Sequence, residues 1–248
     1  MSSIYDRREF FSTYFSKSTE KALFVSEFAK RFRPPSKDSL KILDLGTHDG
    51  LLLTKLLSQV KDKLPAQVDV VANDPSGPAI DDFRKRALPS GINLKLSVET
   101  AEEFFDRDAD RFDWIIASHC LYWSPRLVEL TKLICERSEA AVIILRGRKG
   151  IYELRSRFRH LLGNKLEQLY TADDVEAALK DLQVSFSRDE HQTHIDIPDE
   201  DSVEFLWLLS FLLDSNVDTL SKSDLEEIKA FLRPFKGRFR HDVSFFWI

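Results

Sequence analysis

From Lys41 to Gly147 short apolar runs alternate with amphipathic stretches, and this constrains the fold more than any other feature of the chain. "KILDL", "VDVVAND", "INLKLSV", "FDWIIAS" and "AAVIILRG" read as strands, and "LLLTKLLSQV", "AIDDFRKRAL", "AEEFF" and "PRLVELTKLICER" as the helices between them. Strands that repeatedly alternate with helices imply βαβ units and a mostly parallel sheet with helices on both faces. "VIIL" is continuous in apolar residues, as a strand covered on both sides should be. The expected class is α/β: a doubly wound, Rossmann-like sheet.

The flanks differ from this core. Phe24, Phe28 and Phe32 recur at i, i+4 and i+8, a helical stripe that ends before Pro34 and Pro35. After the fifth strand come a basic helix, "RGRKGIYELRSRFRH", and a helix opened by Thr171 with an acid three residues on. A long strand, "QVSFSRDEHQTHIDI", and two further helices follow. The terminal "HDVSFFWI" alternates β-formers and is apolar enough to need burial, which predicts an antiparallel last strand inside the sheet. We expect one domain over 1–248, with a helical lid segment at 1–36, a cofactor-binding core at 37–150 and substrate-pocket helices with the last two strands at 151–248. The 36 Lys and Arg against 41 Asp and Glu give a net charge of −5, which argues against a nucleic-acid partner. The longest apolar run, residues 203–213, is about half of the ~20 residues a membrane span needs. With only two cysteines and no apolar signal core near the first residues, a reducing cytoplasm is expected.

"ILDLGTHDG" places Gly46 and Gly50 in the first strand-to-helix turn, the favoured ligand cradle of an open α/β sheet. Asp74 ends the second strand, where a carboxylate can accept both hydroxyls of a ribose. Leu51, Leu52 and Leu53 stand where a phosphate loop would carry Lys and Ser or Thr, which disfavours a nucleotide triphosphate. Taken together, Asp44, Gly46, Asp74, the "TAEE" turn at Thr100, Ala101 and Glu102, and the "SHCLYW" edge beginning at Ser118 resemble class I methyltransferases that use S-adenosylmethionine. That resemblance implies the glycine turn against the methionine part, Asp74 on the ribose and the "TAEE" turn around adenine. His48 stands where the family commonly has glycine, either filling space or touching the cofactor.

"FSKSTEKALFVSEF", "HCLYW", "TADDVEAALKDL", "HIDI" and "DVSFFWI" further resemble, in patches, histamine N-methyltransferase and its relatives. What this implies is methyl transfer to the nitrogen of a small amine, in a pocket built by the N-terminal and late helices. The family's amine-binding glutamate falls on Glu20, its glutamine after the fourth strand on His119 and its asparagine near the last strand on His241. Two tryptophans that wall the substrate ring in that family fall on Ile151 and Arg155, so histamine itself is not carried over. Glu20 has a plainer reading as a helix-start charge worth ~0.5 kcal/mol, and both histidines as hydrogen-bonded structural groups.

Phe11, Tyr14, Tyr122 and Trp123 are pocket candidates, although aromatics at such spacings also serve cores. Arg155 and Arg159 share a helix face that is either solvated or a clamp for a carboxylate or phosphate. Cys120 has no visible nucleophile partner, and no acid cluster calls for a metal. Glu20, or His119 behind it, is the candidate for taking the proton that an ammonium must lose before its nitrogen can attack. A macromolecular methyltransferase acting on RNA or protein, and a non-catalytic cofactor-binding protein, are the competing classes. The oligomeric state is not legible in the sequence.

Overall fold

The computed structural model describes residues 6–34, 38–162 and 169–248. Two helices, α1 (Arg8–Lys17) and α2 (Glu20–Arg31), precede the alternating core. That core runs β1 (Ser39–Leu45), α3 (Leu51–Gln59), β2 (Gln67–Asp74), α4 (Gly77–Arg84), β3 (Ile92–Val98), α5 (Ala101–Arg107), β4 (Phe112–Ser118), α6 (Leu127–Glu136) and β5 (Ser138–Arg146). The remainder is α7 (Ile151–Arg157), α8 (Ala172–Asp181), β6 (Ser187–Asp196), α9 (Val203–Leu213), α10 (Lys222–Leu232) and β7 (Arg238–Trp247).

The strands form one sheet in the order β3-β2-β1-β4-β5-β7-β6. Only β7 runs antiparallel to its neighbours, and it lies between β5 and β6 as its apolar alternation predicts. The chain winds outward from β1 to β3, then returns to β4 on the other side of β1. That reversal opens a crevice at the carboxyl ends of β1 and β4, where ligands of such sheets bind.

Period-two side chains feed the two faces of the sheet separately. Leu40 and Ile42 of β1 join Phe24, Phe28, Phe32, Leu53 and Leu57 on one face. Leu43 and Leu45 join Phe104, Ile115, Leu130 and Leu179 on the other. The predicted phenylalanine stripe of α2 is real: Phe24–Phe28 and Phe28–Phe32 centroids lie 5.9 and 5.4 Å apart, and Trp114 closes the cluster. A third apolar cluster, with Phe10 and Tyr14 of α1, Leu154 of α7 and Leu208 and Leu212 of α9, sits apart from both. It explains why α9 is apolar all round: seven of its eleven residues are buried, against α1 and α7 alike.

The basic stretch departs from its expected form. Its α-helix stops at Arg157, and Arg159–Leu161 continue as a 3₁₀ turn. No helix among the described residues is long and apolar enough to cross a membrane, and no three His, Cys, Asp or Glu among them gather as a metal set.

Candidate active site

Beyond β1 the backbone takes positive φ at Gly46 (65°), His48 (53°) and Gly50 (69°). The turn is pinned to β2 by Thr47 N–H on Asn73 O (3.0 Å) and by His48 N–H on Asp74 Oδ2 (2.9 Å). Ser76 N–H donates to the other Asp74 oxygen at 2.9 Å. Asp74 is thus oriented by one backbone donor per oxygen, and each oxygen keeps acceptor capacity for a hydroxyl. Burial raises the pKa of Asp74, and the His48 and Ser76 N–H groups work against that rise. A Cβ on Gly46 would lie 2.4 Å from Cys120 Cβ, so only glycine allows the turn to approach β4 this closely.

His48 tolerates its left-handed backbone, as His does more readily than most residues. Its ring packs on Phe11 of α1, centroids 3.9 Å apart, and Asp6 accepts a 2.7 Å bond from Ser76 Oγ. The N-terminal segment therefore crosses from the β2 turn to the glycine turn. It ends against α9, where Tyr14 stacks on Phe211 at 4.3 Å.

Under this strap lies a cavity of about 510 Å³, in the range of small-molecule sites. Asp44, Gly46, His48 and Asp74 wall its β1–β2 end, and His119, Tyr122, Trp123 and Arg146 its β4–β5 end. Phe11, Tyr14, Ser118, Lys21, Cys120 and Phe211 also line it. Asp44 has its carboxyl pushed up to about 7, first by burial and then by the charge of Asp74. Burial raises the Cys120 thiol far above its usual range, so it remains protonated.

A hydrogen-bonded chain runs behind the β4 end. Glu20 Oε1 bonds His119 Nε2 and lies 3.0 Å from Lys21 Nζ, while Oε2 accepts from Tyr14 Oη at 3.1 Å. His119 Nδ1 bonds Tyr122 Oη, which accepts from the Arg146 N–H at 3.1 Å. Lys21 Nζ also reaches Ser118 Oγ at 3.4 Å. Burial alone would raise the Glu20 carboxyl; the partners His119 and Lys21 outweigh it and hold the group well below its usual range. Burial pushes His119 down to about 3, more than Glu20 can offset, and the imidazole is neutral at neutral pH. Its Nε2–H therefore donates to Glu20 and its Nδ1 accepts from Tyr122. His119 holds this place at φ 60°, a backbone state that functional sites retain.

Several residues expected at the site lie elsewhere. Glu20 is neither a helix-start surface charge nor a wall of the cavity; it is 1% exposed and sits behind Lys21, His119 and Tyr14. His241 is likewise fully buried off the wall, 3.9 Å from Glu20 Oε2 and 2.9 Å from Thr193 Oγ1. Arg155 is no substrate clamp: its Nε donates to Leu212 O (2.7 Å), a carbonyl in the last turn of α9, and its Nη2 to Phe211 O (3.4 Å), which also accepts from the Asp214 N–H at 3.3 Å. Gly50 is a packing glycine, since a Cβ there would fall 2.3 Å from the Phe83 ring. Thr100 and Glu103 form the capping box of α5, Ala101 packs in the core, and Glu102 accepts from Ser124 Oγ. None of Thr100, Ala101 and Glu102 walls the cavity.

The assignment of Gly50 to packing has a measurable consequence. Gly50→Ala, forced into a left-handed state against Phe83, should cost about 1–3 kcal/mol of stability in urea unfolding. An unchanged midpoint would return Gly50 to the cofactor.

Residues 42–137, from within β1 to just past α6, match a family model described as a methyltransferase domain. Within these residues the chain carries a methyltransferase domain. The plantazolicin methyltransferase BpumL, in complex with SAH, is 17% identical with a TM-score of 0.53, over 97% of this chain and 90% of that one. A cyclopropane-fatty-acyl-phospholipid synthase-like protein from Lactobacillus casei ATCC 334 is 13% identical with a TM-score of 0.57, over 98% and 91%. The cyclopropane synthase MmaA2 from Mycobacterium tuberculosis is 13% identical with a TM-score of 0.54, over 91% and 83%. At these identities the three share the fold with this chain. A search of curated protein sequences gives no significant match.

The walls fit S-adenosylmethionine. Asp74 presents two oriented carboxylate oxygens, Gly46 leaves room where any side chain would collide, and Asp44 adds an acid at the same end. Lys21, Arg146 and Phe211 are among the wall residues that pattern reading misses. Lys21 reads as one more charge in a helix, and Arg146 as the start of a basic surface run.

Proposed function

We propose that this chain transfers a methyl group from S-adenosylmethionine to the nitrogen of a small molecule held between Tyr14, Phe211, Tyr122 and His119. The whole chain acts as one unit, in which α1, α2 and α9 close the pocket over the residue 37–150 core. The observation that carries the amine reading is the Glu20–His119–Tyr122 chain at the β4 end of the cavity.

When bound, the cofactor supplies an electrophilic methyl on a sulfonium. Asp74 would take its ribose and the Gly46 turn its methionine part, which places the acceptor toward β4 and β5. An ammonium has no lone pair to attack with, so the site must remove a proton. The acceptor N–H gives its proton to the Tyr122 oxygen as the Tyr122 proton passes to His119 Nδ1. Glu20 at Nε2 orients the ring and offsets part of the burial that disfavours the imidazolium so formed. Glu20 is then a positioning residue, and His119 holds the proton. Tyr14, Phe211 and Trp123 exclude water and orient the acceptor, and such positioning supplies much of the acceleration in an in-line displacement.

Transfer of label from S-adenosylmethionine to a panel of small amines, against total RNA and total protein, tests the reading. Label on small amines alone supports it; label on RNA or protein alone overturns it. The strap is tested separately by hydrogen exchange with and without S-adenosylhomocysteine. Amides of Arg8–Lys17 should slow on binding, because the Phe11–His48 and Tyr14–Phe211 stacks then close over an occupied cavity. Identical exchange in both states would remove the lid.

A further inference from the structure

Arg146, the last residue of β5, has a side chain to which the proton route assigns nothing. It is 6% exposed, walls the cavity, and its Nε has no hydrogen-bond partner. Among the described residues it forms no ion pair. Glu20, the carboxylate whose field reaches it, is already bonded to Lys21, His119 and Tyr14. Three rings fix the guanidinium in place: its Cζ lies 5.3, 5.2 and 5.8 Å from the centroids of Tyr14, Tyr122 and Phe211. Trp123 also walls this cavity, and its Nε1 is a second buried donor without a partner.

Buried donors are nearly always satisfied, and a buried charge without a counter-ion is costly, so two orphaned donors at one end of a cavity describe a ligand. Glu20 and Lys21 cancel, and His119 is neutral. One positive charge, that of Arg146, is left at the β4–β5 end.

We propose that the methyl acceptor carries a carboxylate, received by Arg146 with Trp123 Nε1 as a further donor: the substrate is an amino acid or a similar small amino-carboxylate. This rests on the methyltransferase reading of the same cavity and names its substrate class. A planar carboxylate matches the guanidinium fork and brings the single negative charge the site lacks. A phosphate monoester brings close to two, one of which would stay uncompensated. The Arg146 guanidinium lies 5.2 Å from the centroid of the Tyr122 ring, so nitrogen and carboxylate would lie a few bonds apart. The cofactor's own carboxylate is the other claimant. Asp74 ends β2 and Arg146 ends β5, three strands apart in the order β2-β1-β4-β5, about 14 Å at the usual strand spacing. A cofactor anchored at Asp74 leaves Arg146 to the acceptor.

The test is calorimetry on the protein loaded with S-adenosylhomocysteine, titrated with amino acids and their decarboxylated counterparts: histidine and histamine, phenylalanine and phenethylamine. Phenyl phosphate and inorganic phosphate form the second anion arm. We expect a carboxylate to bind about 10- to 100-fold more tightly than its matched amine, as for hydrogen bonds to a charged group. Arg146→Met should abolish that preference with S-adenosylhomocysteine affinity unchanged, and Arg146→Lys should restore part of it. Should Arg146→Met fail to fold, Trp123→Phe keeps the ring, removes the donor and should weaken the carboxylate alone. Equal or tighter binding of the amines overturns the proposal, as does absence of carboxylate binding at millimolar concentration. Phosphates binding more tightly than carboxylates overturn it in favour of a phosphorylated acceptor. Loss of S-adenosylhomocysteine affinity in Arg146→Met overturns it in favour of the cofactor. A wild-type protein that does not bind S-adenosylhomocysteine would instead fail the methyltransferase reading itself.

Discussion

His119→Asn is expected to slow methyl transfer by roughly 10²–10⁴-fold, the range for a general acid–base group, with S-adenosylhomocysteine affinity unchanged. Asparagine is the informative replacement because it shares histidine's tolerance of the left-handed backbone that His119 adopts at φ 60°. The variant therefore removes the proton acceptor without straining the chain. Tyr122→Phe should fall in parallel, since it breaks the same route at its other atom. Glu20→Gln should also slow transfer, but it is a less clean probe. Its carboxylate is the buried partner of Lys21 at 3.0 Å, and leaving that ammonium alone costs about 3–5 kcal/mol of stability. A larger fall in melting temperature is thus expected for Glu20→Gln than for His119→Asn, which leaves the Glu20–Lys21 pair intact. Wild-type turnover in a folded His119→Asn protein would end the proton route and leave positioning as the whole of the catalysis.

The sheet was legible because its signal is local and repeated. Alternation in "KILDL" and continuity in "VIIL" each specify which faces are covered, and even the inserted antiparallel strand announces itself through "DVSFFWI". The β1–β2 end of the cavity was legible for the same reason: Asp44, Gly46 and Asp74 lie at strand ends that the alternation fixes. The acceptor end is assembled across elements, and there the pattern runs out. Lys21 is an ordinary helix charge until α2 brings it beside Ser118, 97 positions away. Arg155 stayed open between a solvated face and a clamp because spacing reports which residues share a face and not what that face meets; it meets the end of α9. Arg146 was counted with the basic stretch, although it belongs to a strand whose other late residues are apolar. A lone charge ending an apolar strand is the signal that could have found it. Gly50 shows the reverse error, a motif position whose glycine answers to the Phe83 ring.

Affinity for S-adenosylhomocysteine is expected to rise about tenfold per pH unit below about 7 and to level off above it, with Asp44 as the cause. Burial and the charge of Asp74 favour the neutral acid in the free protein. The methionine part of the ligand brings an ammonium to this end, and only ionised Asp44 can pair with it. Binding below the Asp44 pKa must therefore release a proton, and each unit of pH below it costs one factor of ten. From pH 5 to pH 8 the change is about a hundredfold. The same raised pKa works in the opposite direction on the empty protein. Between about 4 and 7 the folded chain holds a proton on Asp44 that the unfolded chain has lost, so this group's contribution to stability declines as pH rises through that window. His119 and His241, depressed to about 3 and about 4, oppose it up to their ordinary range near 6.5. Ligand binding compared between wild type and Asp44→Asn cancels them, because both proteins carry the same histidines. The variant should bind weakly with a flat pH profile, whereas Asp74→Ala should bind about 10- to 100-fold more weakly at neutral pH through loss of the ribose hydroxyl bonds. A wild-type affinity that does not vary between pH 5 and 8 would mean that Asp44 stays ionised in the free cavity or stays protonated in the occupied one. Asp74 would then carry the cofactor end without it.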